Sequence, residues 1–372
     1  MKAKLLSGLL AGIFCASTLF LASCSSKSGN NSLAVNKGGA SGGGQIVGAG
    51  STFVFPIMSR WIADYQQNNQ GVQINYQSIG SGGGIQQLKK GLVDFGASDM
   101  ALDSTKLKDM PALVQVPETA GPVCITYNLP QLKQPLKLTG KTLSGIYLGT
   151  IKTWQDPAIK RDNPGVNLPS TNIVVVHRSD GSGTSNIFTT YLSAVNPEWK
   201  SKVGQGLSVS WPQGIGGKGS EGVTGAVKQN PGAIGYVELA YAMENKLPVA
   251  DVQNKAGKFV APSAASTSAA INAFSAQLKN DVTAPIVDPP ASAAEAYPIS
   301  GLTFLLVPTN PQDATKGAKT KAFIAYVISQ GQSQTEPLHY AELPPALQQI
   351  DQSLLAKVQP AGQAANSSGS GL

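Results

Sequence analysis

VVVHRSDGSGTS, residues 174–185, reads as a strand that runs into a glycine-opened turn and then a helix. Val174, Val175 and Val176 form a short β-branched run suited to a buried strand, while Gly181 and Gly183 let the backbone turn tightly and approach a ligand closely. Downstream, Ile187, Phe188, Tyr191 and Leu192 recur at helical spacing, which starts a helix near Gly183. The first amides of such a helix lack intrahelical partners and stand at the positive end of its dipole, so an oxyanion placed there meets free N–H donors. Ser182 and Thr184 add hydroxyls, and Arg178 adds a permanent charge on a planar donor fork. An ordinary strand, loop and capped helix with an exposed arginine fits the same residues, because Ser and Gly commonly begin helices. Other parts of the chain have to decide between these.

The same order of elements recurs twice nearer the N-terminus. IVGAGSTFVFP, residues 46–56, begins as a strand and turns at its glycines; Pro56 suits a first helical turn, and Ile57, Trp61, Ile62 and Tyr65 fall on one helical face. Ser51 and Thr52 therefore also sit at a helix start. Val72, Ile74 and Tyr76 then alternate with polar residues as a half-buried strand, run into the loop SIGSGGG (78–84), and are followed by a short helix from Ile85 to Lys90 closed by Gly91. If the three loops converge, their hydroxyls and free amides form a cage of neutral donors around one small oxyanion. None fits a nucleotide-binding loop. Gly216-Gly217-Lys218-Gly219-Ser220 comes closest, but Gly219 stands where Ser or Thr is needed, and no dinucleotide fingerprint with its later acid appears.

VDFGASDM (93–100) is a strand ending in a carboxylate, which is unexpected beside an anion site. A carboxylate repels a fully ionised anion but can accept a hydrogen bond from one that still carries a proton, as hydrogen phosphate does and sulfate does not near neutral pH. An acceptor among donors thus rejects the ligand that would leave it unpaired. From local sequence alone, Asp99 as a cap for the following segment is the simpler reading.

The 372 residues are 41% hydrophobic and 13% charged, a globular composition long enough for two domains. Of the formal charge of +7, four units come from Lys2, Lys4, Lys27 and Lys37, all before residue 45 with no acid among them, so the body carries +3. No clustered basic face or nucleic-acid module is evident, and no nucleic-acid partner is expected. Met1-Lys2-Ala3-Lys4, an apolar run from Leu5 to Leu21 and Leu21-Ala22-Ser23-Cys24 make a charged start, a hydrophobic segment and a small-residue cleavage site. With Cys24 at its end this segment resembles the bacterial lipobox, which implies cleavage after a signal peptide of residues 1–23 and lipid attachment at Cys24. The alternative is an uncleaved membrane anchor. Residues 24–45, rich in Ser, Gly and Asn, read as a flexible tether. Cys15 leaves with the signal peptide, so Cys124 remains as a lone, buried core cysteine and no disulfide is expected. Two distant histidines, His177 and His339, supply neither a zinc site nor a Ser-His-Asp triad, so neither metal nor catalytic residues are assigned.

GAGSTFVFP (48–56), YQSIGSGGG (76–84), DFGASDM (94–100), RSDGSGTS (178–185) and NPGAIGYVE (230–238) together resemble the phosphate-binding proteins of high-affinity bacterial phosphate ABC transporters. The resemblance covers nearly all of residues 46–355. It implies an α/β, two-lobed periplasmic-binding-protein (type II) fold with two crossover hinge strands, residues 46–122 and 299–360 forming lobe I and 123–298 lobe II. It also implies phosphate held between the lobes by Thr52, Phe53 (through its backbone amide), Ser81, Asp99, Arg178, Ser182, Gly183 and Thr184, with Asp180 paired to the arginine. Val54-Phe55 departs from the Pro and Ala that relatives often carry, a change to packing and not to donors. The implied partners are inorganic phosphate in its hydrogen phosphate forms and an inner-membrane ABC permease, with a lipid anchor to the membrane, a monomeric state and no cofactor. A binding protein for another tetrahedral oxyanion, or an extracellular phosphatase, are the alternatives. Two stretches fall outside these motifs: residues 214–225, glycine-rich, read as a surface loop, with a place flanking the cleft mouth as the alternative, and residues 361–372, small and polar, as a disordered tail.

Overall fold

The computed structural model describes residues 44–360. The signal peptide, Cys24, most of the tether and the 361–372 tail lie outside the described residues. Eleven strands follow in chain order: β1 (Ile46–Gly50), β2 (Ile74–Ser78), β3 (Phe95–Ser98), β4 (Leu113–Tyr127), β5 (Lys137–Leu138), β6 (Val174–Arg178), β7 (Ile215–Gly217), β8 (Ala233–Glu238), β9 (Asp251–Gln253), β10 (Phe259–Val260) and β11 (Ser300–Pro308). Eight of them form one sheet in the order β2-β1-β3-β11-β4-β8-β6-β7, and β10-β9-β5 form a second, small one. With helices on the sheet faces, the architecture is α/β.

β4 ties the large sheet together. Its residues 113–122 pair antiparallel with β11, and residues 123–127 pair antiparallel with β8, so one strand of 15 residues passes from one half of the sheet into the other. It is buried almost throughout, the polar Glu118, Thr119 and Thr126 included, which leaves the free Cys124 inaccessible. In the first half β1 pairs parallel with β2 and β3; in the second, β6 pairs parallel with β7 and β8. Parallel pairing demands crossovers, and each of β1, β2, β6 and β7 leads from its C-terminal end into a helix: Phe55–Asn68, Ser81–Lys89, Gly183–Val195 and Gly219–Gln229. These strand ends bring their helix starts to the crevice between the halves, the position where open α/β sheets bind ligands.

The periodicity is realised in burial. Helix 55–68 buries Ile57, Met58, Trp61 and Tyr65 with Pro56 in its first turn, and helix 183–195 buries Ile187, Phe188, Tyr191 and Leu192. Two expectations change. The helix expected from Ile85 begins at Ser81, so the glycine run is its first turn and not a loop. The reason is close approach: a Cβ on Gly84 would lie 2.4 Å from Gly50 Cα and 2.5 Å from Ala49 O, so glycine lets this helix lie flush on β1. The surface loop expected at 214–225 is instead β7 and the first turns of helix 219–229, with Gly219, Ser220, Val223 and Thr224 buried. Gly214, Ile215, Gly216, Lys218 and Glu221 are exposed, so the segment is at the surface but ordered as an edge strand and a helix start that turns its other face inward.

Gly84→Ala should lower stability by about 2–3 kcal/mol in denaturant unfolding, the reverse of the gain that alanine brings to an open helix position.

Candidate functional site

The helix starts meet as predicted. Ser182 is the N-cap of helix 183–195, its Oγ accepting the Ser185 N–H at 3.0 Å, which leaves its own hydrogen available to donate. Ser81 Oγ accepts the Gly183 N–H and the Asp99 N–H, each at 3.2 Å, joining three of the expected residues from three elements. Gly183 has to be glycine: a Cβ there would stand 2.5 Å from Ser81 Oγ and 2.6 Å from Asp99 Oδ2. The Gly82 N–H donates to Gly181 O at 2.9 Å, a second contact between the halves of the sheet.

Arg178, at the end of β6, is only 3% exposed. Its Nε donates to Asp180 Oδ1 at 2.8 Å and its Nη2 to Oδ2 at 2.6 Å, a bidentate pair; Nη1 reaches Thr184 Oγ1 at 3.4 Å. Against the opposing effect of burial, the Arg178 hydrogen bonds and charge hold the Asp180 carboxyl below its ordinary range. Asp180 Oδ1 also accepts the Gly219 N–H at 3.0 Å, and the Arg178 N–H donates to Tyr236 Oη at 3.1 Å. Tyr236 in turn shares a hydrogen with Ser185 Oγ at 2.6 Å.

Thr52 stands across from helix 219–229. Its Oγ1 lies 2.9 Å from Ser220 Oγ and accepts the Ser220 N–H at 3.2 Å. Among the described residues no acceptor meets the N–H of Phe53, whose side chain is fully buried. Contacts thus link Ser81, Asp99 and Gly183 directly, join Arg178 to Thr184 and Asp180, and tie Thr52 through the Gly219-Ser220 turn to Asp180. Phe53 takes part through its neighbour Thr52, and Ser182 through the turn it caps.

Asp99 is not the cap of a following helix. Its Oδ1 accepts from the Ser51 hydroxyl, and its Oδ2 is buried without a hydrogen-bond partner among the described residues. Burial raises this carboxyl from 3.8 to about 6, although the Ser51 hydroxyl and the Arg178 charge pull it down. Glu118 is a second buried carboxyl: its Oε1 accepts from Thr303 Oγ1 at 3.1 Å, and burial, with the nearby charge of Asp99, raises it to about 8. Environment thus sets the two carboxyls apart, Glu118 being raised further than Asp99. A crevice lined by Asn186, Thr190, Thr283 and Pro285 leads outward from beside Asp99.

Sequence reading missed Ser220, Tyr236 and Glu118. Ser220 had a signal, since a strand, a glycine turn and a Ser at a helix start recur there a fourth time. Glu118 had none; only the pairing of β4 with β11 carries it to Thr303.

The family model described as "PBP superfamily domain" matches residues 35–330. The phosphate-binding protein PstS of Xylella fastidiosa is 48% identical over 304 residues, 82% of each chain, and that of Methanocaldococcus jannaschii is 40% identical over 316 residues, 78% of this chain and 79% of its own. Among solved structures, the phosphate-binding protein of Stenotrophomonas maltophilia superposes with a TM-score of 0.62 at 20% identity, covering 83% of this chain and 93% of its own; at that identity the likeness establishes the fold.

The raised Asp99 carboxyl has a thermodynamic sign. Protonated, it favours the folded state; that contribution is complete below about pH 4 and is lost as pH climbs through about 6. Over that window in phosphate-free buffer, Asp99→Asn should gain up to about 3 kcal/mol relative to the unsubstituted protein, read from urea unfolding at each pH.

Proposed function

The chain belongs to the phosphate-binding proteins of phosphate ABC transporters, and from that premise we propose that Thr52, Phe53, Ser81, Asp99, Arg178, Ser182, Gly183 and Thr184 hold inorganic phosphate in the crevice between the halves of the sheet. The protein is the phosphate-binding component of such a transporter, a non-enzymatic role whose partner is an ABC permease. The observation that carries the site assignment is the unpartnered Asp99 Oδ2 set among donors, beside the Gly183 amide and the Ser81 hydroxyl. Arg178 supplies charge, the amides of Phe53 and Gly183 and the hydroxyls of Thr52, Ser81, Ser182 and Thr184 supply hydrogen bonds, and Asp180 fixes the arginine. Charge-assisted hydrogen bonds of about 1.5–3 kcal/mol each accumulate against the cost of dehydrating the anion. Ionised Asp99 accepts the proton that hydrogen phosphate retains and meets only repulsion from sulfate.

On this reading residues 46–122 with 299–360 move as one lobe and 123–298 as the other, closing about the two crossover strands, 121–128 at the end of β4 and 299–307 in β11. Closure brings Thr52 onto Ser220 and Ser81 onto Gly183. Lipidation at Cys24 holds the protein to the membrane on its tether.

Calorimetric titration of the fragment from Gln45 onward should give tight phosphate binding and none with equimolar sulfate; equal affinities would overturn the selectivity. Asp99→Asn should narrow the phosphate-to-sulfate ratio at least tenfold, because an amide can donate to sulfate. In cells, Cys24→Ser should move the protein from the membrane fraction to the soluble extracytoplasmic fraction, while continued membrane retention would indicate the uncleaved anchor.

A further inference from the structure

Two tyrosines hold consecutive carbonyls of the stretch that carries Thr52 and Phe53. The Tyr241 hydroxyl donates to Thr52 O at 2.6 Å, and the Tyr340 hydroxyl donates to Phe53 O at 2.6 Å. Each hydroxyl also lies 3.1 Å from a carboxylate oxygen, Tyr241 from Glu221 Oε1 and Tyr340 from Glu238 Oε2. Both tyrosines are buried. The two contacts look alike, but they act on different peptide groups.

Thr52 O and the Phe53 N–H belong to one peptide plane, and a trans peptide directs its C=O and N–H to opposite sides. Pinning the oxygen therefore aims the N–H, and a hydrogen bond at the oxygen polarises the amide into a stronger donor. Phe53 O and the Val54 N–H belong to the next plane, whose N–H is already engaged with Ser51 Oγ at 3.3 Å. Tyr241 thus acts on the peptide with a free N–H and Tyr340 on the one without. The origin of Tyr241 matters as well. It lies in helix Leu239–Glu244, directly after β8 in the second half of the sheet, whereas Thr52 follows β1 in the first.

We infer that Tyr241 is a positioning residue for anion capture: its hydroxyl, arriving with the opposite half of the molecule, fixes and polarises the 52–53 peptide so that the Phe53 amide faces the phosphate. Thr52 O also accepts the Phe55 N–H at 3.3 Å from its own half, whereas the shorter bond, from Tyr241, comes from the opposite half. The inference rests on the site assignment proposed above and adds a coupling to it, because this second, shorter bond forms only when the halves meet. Glu221 modulates the device. The tyrosine has one hydroxyl hydrogen, and Glu221 Oε1 is its competing, more distant acceptor. In Glu221→Gln the side-chain amide can donate to the tyrosine oxygen, leaving that hydrogen to Thr52 O.

The test combines phosphate calorimetry with the amide proton resonance of Phe53 in the ¹⁵N-labelled protein. Tyr241→Phe should weaken phosphate binding about tenfold, and its phosphate-bound Phe53 amide should lie upfield of the unsubstituted position. Tyr340→Phe, whatever it does to stability, should leave that resonance in place. Glu221→Gln should bind phosphate at least as tightly, with the resonance unmoved or further downfield, and it carries the test should Tyr241→Phe fail to fold. Unchanged affinity and resonance in Tyr241→Phe, equal upfield shifts in both tyrosine variants, or weaker binding with an upfield shift in Glu221→Gln would each overturn the positioning role. A Phe53 amide that does not respond to phosphate in the unsubstituted protein, despite tight binding, would instead overturn the site assignment beneath it.

Discussion

A guanidinium 3% exposed has to be paired and hydrogen-bonded, and much of this structure is arranged around that requirement at Arg178. Asp180 meets it with a bidentate pair, and Asp180 is itself held by the Gly219 amide, which draws in β7 and the helix that follows. Tyr236 takes the Arg178 N–H and bonds to Ser185, which brings β8 against the same turn. Removing one member of a buried pair costs about 3–5 kcal/mol, so these elements are committed to a single arrangement. The pairing cancels the charge of Arg178, so on the proposed site assignment an anion is held by oriented donors and not by net charge.

A second electrostatic arrangement sets Asp99 apart from Glu118. Both carboxyls are buried, and the nearby charge of Asp99 adds to the cost of ionising Glu118. Asp99 has the Ser51 hydroxyl and the Arg178 charge, whereas Glu118 has one threonine hydroxyl. Asp99 is raised to about 6 and Glu118 to about 8, and Asp99 lines the crevice. On the proposed site assignment, like-charge exclusion falls on a ligand without a proton, while a protonated oxyanion turns the Asp99 carboxylate into a partner.

Much of the fold was legible because its signals are local. Strand 174–178, the helix starts at Gly183 and near Pro56, and the closing Gly91 follow from side-chain period and backbone freedom, which neighbours in sequence decide. The donor set was legible for the same reason, since Ser, Thr and Gly at a helix start present free amides and hydroxyls wherever that helix lies. Two local readings failed at glycines. At 81–84 and at 214–225 glycine marked close packing of a helix on a strand, a property of the neighbour it touches and not of its own segment. Asp99 read alone was a cap; its environment comes from Ser51, Ser81 and Arg178, which lie 48, 18 and 79 positions away along the chain.

The sequence by itself determined most of the elements and, through the family resemblance, the phosphate-binding family to which the chain belongs. Only the tertiary structure decided that Ser220, Tyr236 and Glu118 belong with the candidate site residues, that Asp99 keeps one oxygen unpaired, and that Tyr241 takes hold of Thr52 O. The physical reason is distance along the chain. Backbone conformation and capping depend on residues within a turn or two, but desolvation, the pairing of a buried charge and the second acceptor of a hydroxyl depend on whatever the sheet order brings alongside. That order, with β4 crossing between the halves, is set by the packing of the whole chain.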